Sequence, residues 1–470
     1  MKLRLVIVTL VILALAVPVQ MLAQAAKTEI YSFDTMTLTD KQFLTGDVKD
    51  GRPARITGEL RLPLGSGPFP AVVLVHGSGG IGANADNWAR DFNSIGVAAF
   101  LLDCFTGRGI VQTVTDQSLV GNLAMTYDSY RALELLSKHP RIDSSRIAIM
   151  GFSKGGFPAL RASMKRFQQM YGPPNVEFAA YLPFYGGSCA NSFFEDEQVS
   201  DRPIRMFQGQ KDDYNFAEPC QKYAERLKRA GKDVQITIYP DARHAFDNPL
   251  LPAVLSYPDA VVITHCSLKE RVGGEMINPD TGKPFTWQDA CLTRGASVGF
   301  DANAYGEAKK AVKAFLTDTF KLTPTAAQLR SQLAGTYRLI SNQVTVVATG
   351  ESRDGLGKTP HGYITYGRDG RMMVLLVKDA RPKPKDLAAM TDQARADLFR
   401  TMVAYAGTYD FDGKTVTHHI EVSWNEIWTG TKQVRHVRFD GHRLVLSTDP
   451  HPEPRDGQVI TSVLTFEKVD

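Results

Sequence analysis

The chain has 470 residues, of which 43% are hydrophobic and 22% are charged, and its formal net charge is +4. These values are ordinary for a globular protein with a buried core. No dense block of lysine and arginine with interleaved aromatic residues is present, which argues against nucleic acid as a partner. At roughly 150 residues per domain, the length predicts two to four domains.

The first 25 residues are typical of an export signal. Lys2 and Arg4 precede an apolar run at residues 5–17 that is too short to span a bilayer comfortably, and an A-x-A cleavage sequence ends at Ala25. We therefore predict a signal peptide over residues 1–25 and a periplasmic or secreted protein with no stable membrane insertion after cleavage. Retention of the segment as an N-terminal anchor is the alternative.

Residues 26–322 alternate between short apolar runs and helical patterns. This alternation predicts an α/β domain with a doubly wound, mostly parallel sheet. The predicted strands cover residues 71–75, 97–102, 146–150, 178–184, 204–208 and 234–239. The predicted helices include residues 122–138, 217–230 and 302–320.

A second domain is predicted over residues 323–470, after a linker at residues 323–325. Short strands with Asp-Gly turns and one helix, at residues 392–403, indicate a small antiparallel β-barrel or a strongly curved sheet. The predicted strands cover residues 335–340, 362–366, 372–377, 415–422, 433–439, 443–447 and 459–466.

Five cysteines in an oxidising compartment leave one unpaired. Cys104 ends an apolar run and is expected to be the buried free thiol. Cys189–Cys220 and Cys266–Cys291 are the preferred disulfides, although the sequence does not fix the connectivity.

The motif G-x-S-x-G at residues 151–155 directly follows the apolar run at residues 146–150. At a sharp turn from strand to helix this motif presents a strained serine above the sheet, so Ser153 is the candidate nucleophile. The backbone N–H of Lys154, at the start of the following helix, is the first expected donor to an oxyanion.

Two further strand ends carry the residue types that a serine nucleophile needs. Acyl transfer requires a base and a group that orients the base, and in the α/β-hydrolase order the acid follows the serine and the histidine comes last. Asp212 and Asp213 follow the predicted strand at residues 204–208, and Asp212 is the preferred acid. Asp213 is expected to cap the next helix or to lie in solvent. His244 follows the next predicted strand and is the predicted base.

The sequence HGSGG at residues 76–80 follows the strand at residues 71–75. Its backbone N–H groups at Ser78 or Gly79 are the second expected oxyanion donor, and His76 is expected to shape the loop through local hydrogen bonds. No metal site and no cofactor are predicted. In the second domain His419 and Glu421 share one face of a strand, while His418 points to the other face.

These motifs resemble the dienelactone hydrolase family, which has the α/β-hydrolase fold and hydrolyses esters and lactones. The resemblance rests on HGSGG at 76–80, LDCFTGRG at 102–109, HPRID at 139–143, GFSKGG at 151–156, GQKDD at 209–213 and RHAF at 243–246. The best-known members use cysteine as the nucleophile, so Ser153 points to an exported serine branch. Asp103 and Arg108 are expected to pair near the site, and Arg108 is a candidate substrate-binding residue.

The second domain is similar to a bacterial lipocalin-like domain. The similarity rests on LAGTYRL at 333–339, HGYITY at 361–366, DGRM at 369–372, HHIE at 418–421 and WNEIWTG at 424–430. It implies a barrel that holds a small apolar ligand.

Together the motifs predict an exported serine hydrolase that cleaves a small carboxylic ester or lactone through an acyl-enzyme on Ser153. Two alternatives are a serine peptidase of related fold and a small-ligand carrier whose hydrolase domain is vestigial.

Overall fold

A computed structural model describes residues 27–187, 189–323, 326–388, 390–453 and 457–469. The predicted signal peptide, residues 1–25, and residues 324–325 of the predicted linker lie outside these ranges. The chain divides into two compact units between Leu322 and Thr323. Within the described ranges no helix is both long and apolar enough to cross a membrane.

The first unit is built on one sheet of eight strands, in the order β1-β2-β4-β3-β5-β6-β7-β8. The pairings from β4 to β8 are parallel, and β1 and β2 are added antiparallel at one edge. The mostly parallel sheet confirms the predicted fold class. The strands are β1 (Lys27–Thr37), β2 (Arg52–Leu62), β3 (Phe69–Val75), β4 (Ala98–Asp103), β5 (Ile142–Phe152), β6 (Ala180–Phe184), β7 (Ile204–Gly209) and β8 (Val234–Tyr239).

Helices cover both faces of this sheet, which explains why its central strands are continuous apolar runs. Along β3, Val73 and Val75 belong to the core on one face, whereas Val72 and Leu74 belong to the core on the other. The helices are α1 (Asp40–Thr45), α2 (Ala83–Ser94), α3 (Asn122–Ser137), α4 (Gly156–Arg161), α5 (Lys165–Tyr171), α6 (Ala217–Arg229) and α7 (Ala302–Thr319).

An insertion of short strands separates β8 from α7. Strands β9 and β13 pair with each other, and β10, β11 and β12 form a second small sheet. The bounds are β9 (Leu255–Val262), β10 (Lys269–Arg271), β11 (Glu275–Asn278), β12 (Lys283–Pro284) and β13 (Thr293–Val298). The disulfide Cys266–Cys291 links two of the connections in this insertion. The second predicted disulfide, Cys189–Cys220, is also present, and Cys104 is the buried free cysteine, as predicted.

The second unit is a closed antiparallel barrel of eight strands, which confirms the predicted barrel. Its first and last barrel strands, β14 and β23, pair and close the sheet, while β15 and β22 lie outside the ring. The elements are α8 (Ala326–Leu333), β14 (Gly335–Val346), β15 (Ser352–Asp354), β16 (His361–Tyr366), β17 (Arg371–Val377), α9 (Asp392–Arg400), β18 (Met402–Phe411), β19 (Thr415–Ser423), β20 (Lys432–Asp440), β21 (Arg443–Ser447), β22 (His451–Pro452) and β23 (Val459–Lys468).

Alternate residues of the barrel strands point inward and form its core. On β17 the buried residues are Met372, Val374 and Leu376, and the residues between them are exposed. This period of two is the expected pattern for a strand with one buried face. Strand β18 was not among the predicted strands, and the helix predicted at residues 392–403 overlaps its first two residues, since the helix ends at Arg400 and the strand begins at Met402.

Candidate active site

Ser153 stands at a strained turn between β5 and α4. Its φ angle is 53°, in the left-handed region that side chains rarely adopt. The turn needs glycine on both sides of the serine, because a Cβ at Gly151 would lie 1.9 Å from the carbonyl oxygen of Gly155, and one at Gly155 would lie 2.2 Å from that of Val75. The strain and the close approach together raise the serine side chain at the end of β5.

The structure brings together the three side chains that the sequence predicted as nucleophile, base and acid. His244 Nε2 lies 2.8 Å from Ser153 Oγ, and His244 Nδ1 lies 2.9 Å from Asp212 Oδ2. His244 and Asp212 are each 3% exposed, whereas Ser153 is partly accessible. A neutral imidazole with its proton on Nδ1 donates to the carboxylate and accepts from the serine hydroxyl, which is the arrangement that activates a serine.

Asp212 is held by the turn that follows β7. Its carboxylate accepts hydrogen bonds from the backbone N–H groups of Tyr214 and Asn215, at 2.9 and 2.8 Å, and from Gln208 Nε2 at 3.1 Å. These donors fix the carboxylate and leave Oδ2 facing His244. The end of β7 and the turn after it therefore hold Asp212 in position.

Asp213 is exposed to solvent, which was one of its two predicted roles, and it also contacts the insertion. Its carboxylate accepts from the backbone N–H and the hydroxyl of Ser297, each at 2.8 Å. Ser297 lies on β13, and the backbone N–H of Gly299 then donates to the carbonyl oxygen of His244 at 2.9 Å. Asp213 thus ties the insertion to the two loops that carry the acid and the base, and it does not cap α6.

The turn at His76–Gly80 lies against the serine. A Cβ added at Gly77 would be 3.3 Å from Ser153 Cβ, so Gly77 lies beside the nucleophile. His76 makes two local contacts, from Nδ1 to the carbonyl oxygen of Gly77 at 2.8 Å and from the N–H of Cys104 to Nε2 at 3.1 Å. Its ring is buried and its hydrogen bonds shape the loop, as the sequence analysis expected.

A polar network lies behind this turn. Gln117 donates from Nε2 to Ser78 Oγ at 2.9 Å and accepts from Lys154 Nζ at 2.8 Å. Burial lowers the pKa of Lys154 to about 7, so about half of the Lys154 side chains are uncharged at pH 7. Gln117 therefore connects Ser78, in the loop expected to supply the second oxyanion donor, to Lys154, the residue expected to supply the first.

The predicted pair between Arg108 and Asp103 is wrong. Arg108 pairs instead with Asp128, at 2.7 and 2.9 Å, and both side chains are buried. Its remaining N–H groups donate to Thr37 Oγ1 and to the carbonyl oxygens of Cys104 and Met36. All five donors of the guanidinium are used, so Arg108 has none left for a substrate. It is a structural residue rather than a substrate-binding one.

Two tyrosines that the sequence analysis did not single out pack against the base. The Tyr185 and Tyr214 rings each lie 4.8 Å from the His244 ring. Tyr185 donates to the buried Asp247, whose pKa is raised by burial, and Trp88 donates to the same carboxylate. The position of Tyr185, directly after β6, is the one sequence signal that could have indicated it.

Tyr214 differs from Tyr185 because its buried hydroxyl faces the Gln117 side chain rather than a carboxylate, and this hydrogen bond partly offsets the rise in the pKa of Tyr214 that burial causes. The ring belongs to a small apolar cluster with Val114 from the loop before α3 and Ala260, Val262 and Ala296 from the insertion. Apolar side chains beside the base are a suitable contact for the apolar part of a substrate.

No group of three or more His, Cys, Asp or Glu side chains that could hold a metal ion occurs in the part of the chain that the structure describes. A serine hydroxyl, an imidazole and a carboxylate in contact are the groups that acyl transfer uses.

Comparison with known proteins assigns both units. Residues 56–262 match the family model of the dienelactone hydrolase family, and residues 334–469 match that of a lipocalin-like domain. The first unit contains a dienelactone hydrolase family domain. The second is a lipocalin-like domain.

Curated relatives agree with this assignment of the dienelactone hydrolase domain. A protein of Yersinia pestis named as a candidate carboxymethylenebutenolidase is 25% identical over 201 residues, or 40% of this chain and 72% of the relative. Esterase EstD of Thermotoga maritima is 32% identical over 140 residues, or 28% of this chain and 32% of the relative. These relatives and the family match place the dienelactone hydrolase domain among carboxylic ester hydrolases.

Among solved structures, a dienelactone hydrolase-like promiscuous phosphotriesterase from metagenomic libraries is similar to this chain. It has 19% sequence identity and a TM-score of 0.41, and the match covers 62% of this chain and 98% of that protein.

Proposed function

We propose that this protein is a serine hydrolase that cleaves a small carboxylic ester or lactone through an acyl-enzyme on Ser153. The observation that carries the proposal is the continuous chain of contacts from Ser153 Oγ through His244 to Asp212. The family assignment supports the ester and lactone class, and the strained φ of Ser153 supports its role as the nucleophile.

In the proposed reaction, Ser153 Oγ attacks the carbonyl carbon while its proton passes to His244 Nε2. Asp212 stabilises the imidazolium that forms, and the backbone N–H groups of Lys154 and of Ser78 or Gly79 stabilise the oxyanion. His244 then gives the proton to the leaving alcohol, and the acyl group remains on Ser153. Water, activated by the same histidine, releases the acid and restores the serine.

The surroundings of Tyr214 support a substrate with an apolar part. The side chains of Val114, Ala260, Val262 and Ala296 form an apolar surface around the tyrosine ring. Much of this surface comes from the insertion between β8 and α7, so the insertion selects the substrate in this proposal.

Replacement of Ser153 by alanine tests the nucleophile. We expect the Ser153→Ala variant to lose at least about 10³-fold in kcat on a short p-nitrophenyl ester while its unfolding temperature stays close to that of the wild type. A fluorophosphonate should label the wild-type protein at Ser153 and leave the variant unlabelled. Equal hydrolysis by the two proteins would overturn the proposal, and a folded wild type that is neither active nor labelled would favour the carrier alternative.

We infer in addition that the protein is exported. Two disulfides support this, because such bonds persist in oxidising compartments. The positively charged and apolar pattern of residues 1–25 is the second support. Mass spectrometry of protein from the periplasm or medium of the producing cell should find an N-terminus near residue 26, and an intact N-terminus would favour the anchor alternative.

A further inference from the structure

Gln117 is a buried glutamine that the sequence analysis did not single out. It begins a short 3₁₀ helix, Gln117–Leu119, in the connection between β4 and α3. Its side chain contacts three segments of the candidate site, which carry Ser78, Lys154 and Tyr214. None of these residues is near Gln117 in sequence, so the fold brings them together around one amide group.

Both ends of the Gln117 amide have partners in the site. Nε2 donates to Ser78 Oγ at 2.9 Å, and the Tyr214 hydroxyl faces the same side chain. Oε1 accepts from Lys154 Nζ at 2.8 Å and from Thr113 Oγ1 at 3.3 Å. An amide supplies donors and acceptors in one uncharged plane, whereas a carboxylate in this place could not donate to Ser78 Oγ.

The connection that carries Gln117 also holds the backbone of the turn at His76–Gly80. The N–H of Thr113 donates to the carbonyl oxygen of Ser78 at 2.7 Å, while Gln117 holds the Ser78 hydroxyl. In a planar trans peptide the C=O and the following N–H point in opposite directions, so the contact to the Ser78 carbonyl also sets the direction of the Gly79 N–H. The two contacts therefore orient both candidates for the second oxyanion donor.

Lys154 holds Gln117 from the side of the nucleophile. Its Nζ donates to the amide oxygen of Gln117 at 2.8 Å and to the backbone carbonyl oxygen of the same residue at 3.3 Å. Ser78, Gln117 and Lys154 are all buried. Loss of a hydrogen-bond partner at a buried polar group costs more than at the surface, because water does not replace it. The contacts of Gln117 are therefore a firm constraint on the turn.

We propose that Gln117 is a positioning residue of the oxyanion site, which sets the direction of the N–H groups at Ser78 and Gly79. This inference rests on the proposed serine hydrolase function and adds a residue through which the two expected oxyanion donors are connected. Gln117 does not touch the ester. It acts through the turn, because a hydrogen-bond donor stabilises an oxyanion only when it is aimed at the developing charge.

Gln117→Met tests the proposal, because methionine has a similar length and lacks the amide. We expect kcat on a short p-nitrophenyl ester to fall about 10- to 100-fold while KM changes less than about twofold, since an oxyanion donor acts on the transition state rather than on the bound ester. An unchanged kcat in the folded variant would overturn the proposal.

Two ketones separate an effect on the oxyanion from a general loss of structure. With trifluoroacetophenone, Ser153 Oγ adds to the carbonyl carbon, its proton passes to His244, and the carbonyl electron pair moves to the oxygen, which becomes an oxyanion. Acetophenone binds without this addition. Gln117→Met should raise the inhibition constant of trifluoroacetophenone at least about tenfold and leave that of acetophenone unchanged. A rise by the same factor for both would contradict the positioning role.

Gln112→Met is the matched control, because Gln112 lies in the same connection and its amide contacts stay within it. Its Nε2 donates to Thr115 Oγ1, and its Oε1 accepts from the N–H of Val114. This variant should match the wild type in kcat and in both inhibition constants. Circular dichroism and thermal unfolding check that each variant is folded.

Should Gln117→Met not fold, Ser78→Ala removes the hydroxyl that Gln117 holds and keeps both backbone N–H groups. We expect it to lower kcat several-fold and to weaken trifluoroacetophenone more than acetophenone. An active wild type with unchanged values in the folded variants overturns the positioning role and leaves the proposed function intact. A folded wild type that neither hydrolyses esters nor reacts with a fluorophosphonate overturns both.

Discussion

Asp212 and Asp213 are adjacent residues after β7, and they have different hydrogen-bond partners. Asp212 contacts the base, whereas Asp213 contacts Ser297 in the insertion. Because the Asp212 carboxylate is buried against an imidazole, whereas Asp213 is exposed and binds a half-buried serine, their replacement should have very different effects on catalysis.

Asp212→Asn should lower kcat on a p-nitrophenyl ester by about 10³- to 10⁴-fold, because an amide does not hold the imidazole in the required tautomer or stabilise its positive form. Asp213→Asn is the matched control. It weakens the contacts to Ser297, and we expect a loss of about 1 kcal/mol in unfolding free energy with little change in kcat. Equal loss of kcat in the two variants would contradict the assignment of the acid.

Lys154 should make stability depend on pH. Its folded pKa, about 7, lies below the ordinary value of 10.5, so between these pH values the unfolded chain holds a proton that the folded chain has released. Unfolding then takes up a proton, and the stability contributed by this position rises with pH, by at most about 1.4 kcal/mol per pH unit.

Urea unfolding from pH 7 to pH 10 measures this effect. The wild type should gain about 2–4 kcal/mol relative to Lys154→Met over this interval. Lys138→Met, at an exposed position, is the control, and a change no larger than the one it gives would show that Lys154 is not buried in a neutral form.

Tyr214→Phe removes the buried hydroxyl beside His244 and its hydrogen bond with Gln117. Because Gln117 also contacts Ser78 and Lys154 beside the nucleophile, kcat/KM should fall about tenfold with the fold unchanged. Tyr239→Phe is a control, because its hydroxyl is also buried but its ring packs against Phe246 rather than His244. The same kcat/KM in both variants would mean that the Tyr214 hydroxyl does not support the site.

The proximity of Ser153, Asp212 and His244 could be predicted because each follows a buried strand and parallel strands end at the same edge of a sheet. Their catalytic roles stay predictions until the variants are measured. The partner of Arg108 could not be predicted, because Asp103 and Asp128 are both near in sequence and only packing decides which one the guanidinium reaches. Tyr214 gave no signal, since a tyrosine after an aspartate is common in loops.

At the scale of elements, the turn from β5 to α4 places the serine, and it depends on the absence of side chains at two positions. A Cβ at Gly155 would meet the carbonyl oxygens of Val75 and His76 at 2.2 and 2.5 Å. The Val75 oxygen belongs to β3, which is paired in the sheet, and the His76 oxygen belongs to the turn beside the serine. Neither oxygen can move without disturbing the site.

Gly155→Ala should therefore lower the unfolding free energy by more than about 3 kcal/mol and abolish hydrolysis. Gly306 in α7 has open space where its Cβ would be, and Gly306→Ala should be neutral or stabilise the protein by up to about 1 kcal/mol. Thermal and urea unfolding of the two variants measure the difference, and similar stabilities would contradict the packing described for the turn.

Elements that are buried on both faces were predictable, whereas those that depend on neighbours were not. Strand β7, which is almost entirely buried, begins where the apolar pattern predicts, at Ile204, and ends one residue beyond the predicted end, at Gly209. The insertion was missed because its strands are two to eight residues long and several are exposed, so they lack a period that a sequence pattern reveals. Strand β18 was missed because the helical pattern of α9 runs directly into it.

At the scale of the whole molecule, the predicted hydrolase residues all lie in the first unit. The described chain separates into two units at Leu322, and Ser153, Asp212 and His244 come before that point. A chain of residues 27–322 should therefore fold and keep kcat/KM on a p-nitrophenyl ester within a small factor of that of the full chain. A truncated chain that is folded but inactive would show that the barrel takes part in hydrolysis.

The pairing of β14 with β23 has a consequence for biosynthesis. The ladder joins Tyr337 to Lys468, so the barrel cannot close until residues 459–468 have left the ribosome and any translocation channel. The first unit needs nothing from that segment for its own sheet and can fold while the barrel strands are still being delivered. During this delay the edge of β14 is open to pairing with other chains, which makes premature termination near the end of the barrel an aggregation risk rather than a mild truncation.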